Sequence, residues 1–103
     1  MSVSTQLINK RKYETVATNQ TDQVMGATGS VGDVFERLIV TVSTSGANGT
    51  ASIKDGSGSS ISIVPANAAV GVHSVELNIA STSGAWKVST GTAATAVGIG
   101  LFS

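Results

Sequence analysis

Val34-Phe-Glu-Arg-Leu-Ile-Val-Thr-Val-Ser43 is the stretch whose reading decides the fold. Leu38, Val40 and Val42 recur at every second position, while Phe35 and Ile39 occupy the opposite parity. A period of two belongs to a pleated strand, which sends successive side chains to opposite faces; a helix would need spacings of three and four. Apolar residues on both parities predict a strand covered on both sides, either central in a sheet or capped by a partner.

The same pattern continues downstream. Residues 45–49 are rich in Gly, Ser and Asn and read as a turn, and 50–54 as a strand with Ala51 and Ile53 inward. Asp55-Gly56 signals a hairpin, because a type I′ turn needs positive φ at both central positions. Residues 59–64 alternate through Ile61 and Ile63 until Pro65, which cannot donate to a ladder. A small-residue loop at 66–71 leads to a strand over 72–80, with Val75, Leu77 and Ile79 expected inward. After a Ser/Gly turn come a strand over 85–89, in which Trp86 and Val88 share a face, and a last strand over 95–102. There Val97, Ile99 and Leu101 are expected inward, with Gly98 and Gly100 on the other face. Six short runs at close spacing predict an all-β antiparallel β-sandwich or jelly roll.

Upstream of Val34 the composition changes. Residues 1–33 hold the basic triplet Lys10, Arg11 and Lys12, a polar stretch and the glycines of 26–32. Two short β-leaning pieces lie near 13–18 and 22–25. The expected organisation is an extended N-terminal arm and linker over 1–33, joining the sheets late or reaching a neighbour, and a β-sandwich body over 34–103. The triplet carries too little charge, without an aromatic ladder, to mark a nucleic-acid surface, and is read as a solvated strand end.

The chain has 103 residues, enough for one domain with a modest core that association can supplement. Charged residues make up 12% and the formal net charge is zero. That is about half the usual charged share, and it weakens repulsion between copies. The absence of cysteine excludes disulfides and thiolate metal sites. The N-terminal residues lack the apolar stretch of a secretory signal, and no run approaches the roughly 20 residues of a membrane helix. A protein made in the cytoplasm, without a signal peptide and without a membrane partner, is expected.

Candidate chemistry is sparse. His73 is the single histidine, and no Gly-x-Ser-x-Gly elbow accompanies it, so an edge histidine is expected. The acids Glu14, Asp22, Asp33, Glu36, Asp55 and Glu76 are scattered singly, giving no local acid–base pair. Asp55-Gly-Ser-Gly-Ser59 opens like a calcium loop, but its twelfth position is Ala66, where a bidentate carboxylate is required. The glycines at 26, 29 and 32 lead into a strand and so lack the helix N-terminus that cradles phosphate. Asn19 and Asn48 begin glycosylation triplets, read as chance in a threonine-rich chain. Trp86 could stack on a sugar, but its pairing with Val88 favours the core. No catalytic residue, metal or cofactor is expected, and the chain is read as a non-enzyme.

Gly29-Ser-Val-Gly-Asp-Val-Phe-Glu-Arg-Leu-Ile-Val-Thr-Val42, Ala51-Ser-Ile-Lys-Asp-Gly-Ser-Gly-Ser-Ser-Ile61 and Ser83-Gly-Ala-Trp-Lys-Val-Ser-Thr-Gly91 carry a family likeness. With them the chain, from about Thr15 onward, resembles small β-sandwich virion proteins of tailed bacteriophages, including capsid decoration (cement) proteins. The resemblance implies a structural part on the capsid surface, a homotrimer, and the major capsid protein as partner, often engaged through an extended arm. On that expectation Val3, Leu7, Ile8, Lys10, Arg11 and Lys12 would touch the shell, and Phe35, Ile39 and Phe102 would touch neighbouring subunits. The alternatives are a tail, baseplate or head-fibre subunit, and a carbohydrate-binding or adhesin module that would need an exposed Trp86.

Overall fold

A computed structural model describes residues 11–44 and 48–103. Eight strands follow in order: β1 (Lys12–Val16), β2 (Gln23–Val24), β3 (Val34–Val42), β4 (Ala51–Asp55), β5 (Ile61–Val64), β6 (Gly71–Ala80), β7 (Trp86–Thr90) and β8 (Ala94–Leu101). The described residues contain no helix. Each of the six alternating runs from Val34 onward is a strand whose ends lie within two residues of the expected positions.

The strands form two antiparallel four-stranded sheets, ordered β1-β8-β3-β6 and β2-β7-β4-β5. Their pairing is nested: β4 lies against β5, β3 against β6, β2 against β7 and β1 against β8. The chain therefore runs as one long two-stranded ribbon, doubled back between β4 and β5. Further ladders between β3 and β8, and between β4 and β7, convert the ribbon into two layers.

The core lies between the layers. The first sheet contributes Val16, Phe35, Leu38, Val40, Val42, Ala94 and Ala96; the second contributes Ala51, Ile53, Val64, Trp86 and Val88. Met25 and Phe102, just beyond strand ends, fill in from the sides. Phe35 stands edge-on to both Trp86 and Phe102, at centroid separations of 5.7 and 5.4 Å. Such T-shaped pairs place ring edges against ring faces, the favoured aromatic geometry.

Three expectations about strand faces are corrected: Ile79, expected inward, is 42% exposed near the end of β6, and two others concern β3 and β8. Phe35 does not lie opposite Leu38 in parity, because the register slips by one at Glu36: Phe35 faces Gly100 and Arg37 faces Ile99. The extra residue is a β-bulge, and it returns Phe35 to the face of Leu38. In β8 the inward positions are Ala94, Ala96, Gly98 and Gly100, while Val97, Ile99 and Leu101 point outward and are half-buried. The physical reason is room. A Cβ on Gly98 would meet the Met25 sulfur at 2.8 Å and the Phe35 ring at 3.2 Å; one on Gly100 would meet the Phe102 ring at 2.9 Å and the Val34 carbonyl. The small face of β8 is the seat of the phenylalanine rings.

The boundary at residue 33 is corrected too. From Lys12 onward the chain is built into the sheets, through β1 on β8 and β2 on β7. Met25 is fully buried. Glu14 joins the two layers on this side: its carboxylate accepts from the Gly26 N–H and from the Gln23 side-chain amide, both at 2.8 Å. Residues 1–10 lie outside the described structure.

Candidate docking surfaces

The two outer faces of the molecule differ in chemistry. On the second sheet the outward positions are Ser52, Lys54, Ser62, Lys87 and Ser89, neighbours of one another across the ladders. Lys54 pairs with Asp22 at 3.2 Å and the Asp22 carboxylate also accepts from Ser89, so this face is polar. On the first sheet the outward rows run Thr15–Val97–Ile39–Ser74 and Tyr13–Ile99–Arg37–Glu76, with Leu101 beside Val34, and Val72 beside Thr41. Tyr13 is 73% exposed and Val72 67%. The first sheet thus gathers apolar side chains that are crossed by two ion pairs, Arg11–Glu36 reaching over β8 and Arg37–Glu76 in the row of Ile99, each closing at 2.6 Å. Those four side chains, with Asn78 and Ile99, line a shallow recess of about 290 Å³.

The residues expected to make contacts divide clearly. Ile39 sits on the outer face of the first sheet, half-buried and available. Phe35 and Phe102 are enclosed in the core at 0% and 4% exposure, so neither can present its ring to another subunit. The bulge at Glu36 accounts for Phe35; Phe102 turns inward over Gly100. Arg11 and Lys12 are exposed, Arg11 held by Glu36 and Lys12 opposite Gly100 at the start of β1. Val3, Leu7, Ile8 and Lys10 fall outside the described residues. Tyr13 and Val72 were not singled out in the sequence. The available signal was the parity of β8: had the glycines been placed inward, the register would have put Tyr13 outward beside Ile99.

Trp86 is buried, and its indole N–H donates to the Asp33 carbonyl at 2.9 Å. It therefore offers no platform to a sugar. His73 lies on the half-buried side of β6, and one ring nitrogen is 2.7 Å from the Ala69 carbonyl. Among the described residues no three His, Asp or Glu side chains cluster closely enough to hold a metal ion.

Two aspartates have a structural role. The buried Asp33 carboxylate accepts from the Ser103 hydroxyl at 2.6 Å, the Ser103 N–H at 2.9 Å, the Ser30 N–H at 3.1 Å and the Ser30 hydroxyl at 3.3 Å. Burial pushes its pKa up, but the bonds from Ser103 and Ser30 outweigh burial and hold it below the ordinary carboxylate value. Asp55 accepts from the Thr82 N–H and hydroxyl and from the Ser83 N–H, clasping the loop between β6 and β7. The Thr82 N–H is the largest cause of its lowered pKa, opposed by burial and reinforced by Ser83.

Gly56 follows Asp55 with φ +56°, and the Gly58 N–H closes the turn on the Asp55 carbonyl at 2.8 Å. Asp55 does not take positive φ and the turn centres on Gly56 and Ser57, so it departs from the type I′ form expected with Asp55 and Gly56 at its centre. A Cβ on Gly56 would come within 2.5 Å of the Gly84 nitrogen and 2.6 Å of the Ser83 carbonyl carbon. Gly56→Ala is therefore expected to destabilise the fold by at least the ~1–2 kcal/mol of a left-handed alanine. For a domain of this size that lowers Tm by about 4–16 °C. A thermal melt that matches wild type would show that the two loops do not press together as described.

No protein-family model, curated protein or solved structure matches the chain.

Proposed function

We propose that this chain is a non-enzymatic structural protein of a tailed phage, a capsid decoration protein that docks on the outside of the assembled shell. The observation that carries the reading is the unequal pair of outer faces: one polar and serine-rich, the other gathering exposed Tyr13 and Val72 with half-buried Val34, Ile39, Val97, Ile99 and Leu101 around two ion pairs. Apolar side chains gathered on one face of a small domain suit contact with other protein. The nested pairing of eight strands supports reading the fold as a jelly roll, an architecture used in viral capsids and lectins. That step is an analogy of fold, and the surface chemistry carries more weight.

A protein that binds only assembled shell stabilises it by roughly RT ln(1 + [L]/Kd) per site. In this reading the apolar face meets the major capsid protein or a neighbouring copy. The segment 1–10, leaving from Arg11 at the border of that face, adds Val3, Leu7, Ile8 and Lys10 to the contact by strand addition. Trimeric association belongs to the same proposal.

The test is co-sedimentation with empty shells of the same phage's major capsid protein. Wild type is expected to pellet with the shells, and a chain lacking residues 1–10 to pellet at least several-fold less at equal concentration. Undiminished binding by the shortened chain removes the segment from the mechanism; no binding by wild type removes the decoration reading. Labelled virions viewed by electron microscopy separate a capsid position from a tail, baseplate or fibre position.

A further inference from the structure

We propose that the free edge of β6 is a pairing strand for β6 of a second copy, antiparallel about a twofold axis. The two sheets have four edges, β1 and β6 in one, β2 and β5 in the other. Sheet edges attract strands unless they are short, charged or interrupted by proline. Three of the edges are guarded in this way. β2 has two residues; β5 has four and runs into Pro65; β1 has five, with Lys12 and Glu14 among them. β6 has ten residues with a single carboxylate, Glu76, and neither lysine nor proline. Its only interruption is late, where Asn78 takes φ +53° and the register with β3 slips. Among the described residues nothing pairs with its outer side, and Val70, Val72 and Ile79 are exposed along it.

The occupant follows from the strand's own sequence. Pairing about Glu76 would set two glutamates opposite each other, which is unfavourable. Pairing about Val75 sets Ser74 opposite Glu76 of the second copy, Val75 against itself and His73 opposite Leu77 of the second copy. The Ser74 hydroxyl can then donate to the carboxylate across the axis. In one copy Arg37 already reaches Ser74 at 3.4 Å and Glu76 at 2.6 Å, so the guanidinium keeps this row of side chains in place. Two sheets joined through β6 continue as one eight-stranded sheet, with their apolar outer faces side by side.

Size sets the strength. An edge of ten residues is about 33 Å long, and a sheet is about 10 Å thick, so each partner offers roughly 330 Å². That is well below the ~800 Å² per partner of a stable interface, and places this contact among transient ones. Copies held close together on a common support would pair where dilute copies would not. The inference rests on the edge alone, so failure of shell binding leaves it standing. A twofold contact also differs from threefold association and would join neighbouring oligomers.

Sedimentation analysis from micromolar to millimolar concentration tests it, together with amide hydrogen exchange at both ends of that range. Wild type is expected to double its mass as concentration rises, with exchange slowing in β6 and not in β1 or β5. The variant Ser74→Glu alters an exposed position and is expected to weaken doubling by at least about tenfold, because it sets a glutamate opposite Glu76 of the second copy on both sides of the axis. Trp86 fluorescence confirms that the variant is folded. Absence of doubling at millimolar wild type overturns the inference. So does doubling that leaves β6 exchange unchanged, a readout on wild type that does not depend on the variant folding.

Discussion

Phe35→Ala should lower the unfolding free energy by about 3–5 kcal/mol, the range for removing a large aromatic from a packed core. The ring is fully enclosed, edge-on to Trp86 and Phe102, and lies over the space left by Gly98. Removing it forfeits apolar burial and both aromatic contacts, and surrounding groups cannot collapse into the gap without moving β8. Domains typically have 5–15 kcal/mol in total, so the loss is a third or more of the stability of an average one. Urea unfolding followed by Trp86, the chain's single tryptophan, measures it directly. A cost under about 1 kcal/mol would mean that Phe35 is on the surface and that the bulge at Glu36 is misplaced. Ile39→Ala, three positions beyond the bulge and on the outer face, should cost markedly less.

Asp33→Ala should cost about 2–4 kcal/mol, because hydrogen bonds to a charged acceptor contribute about 1.5–3 kcal/mol and several donors lose their partner together. The carboxylate ties Ser30 to Ser103, and the same residue's carbonyl anchors the Trp86 indole and the Ser81 N–H. The main-chain bonds survive the substitution, so the indole environment should remain while the loop at 26–32 loosens. The pH dependence has a definite sign. The folded pKa of Asp33 lies below its ordinary value, so its contribution is complete above the unfolded pKa near 3.9. It is lost as pH falls through the folded pKa. Asp33→Asn should therefore flatten the acid limb of stability against pH. A residual slope of the same sign should persist from Asp55, whose pKa is also lowered. Denaturant melts at pH 7 and in steps below pH 4 check this; an acid limb as steep as wild type would rule out the Asp33 linkage.

The strand positions were legible because alternation is local: Leu38, Val40 and Val42 announce a strand without reference to anything distant. The faces were less legible, since one bulge reverses parity and a single sequence gives no sign of it at Glu36. β8 misled for another reason. Val97, Ile99 and Leu101 are larger and more apolar than Ala96, Gly98 and Gly100, and only the rings of Phe35 and Phe102, distant in sequence or turned back, explain why the small face points inward. β1 and β2 were visible as β-leaning pieces, but their places on β8 and β7 depend on pairings across most of the chain. The candidate surface inherits these limits. Ile39 lies on the outer face, Phe35 and Phe102 turn inward, the first through the bulge and the second over Gly100, and Tyr13 needs the register of β8 to be seen.

The nested ribbon also biases the order in which the molecule assembles. β4 and β5 are joined by the shortest connection of the four nested pairs, so the entropy of bringing them together is the smallest. Each further pair encloses the previous one, and Lys12–Val16 gains its ladder only once Ala94–Leu101 exists. During synthesis the earliest strand thus waits, unsatisfied, for the latest. Topologies dominated by such distant pairings fold in milliseconds to seconds, and through that interval half-built sheets present open strands to any neighbour.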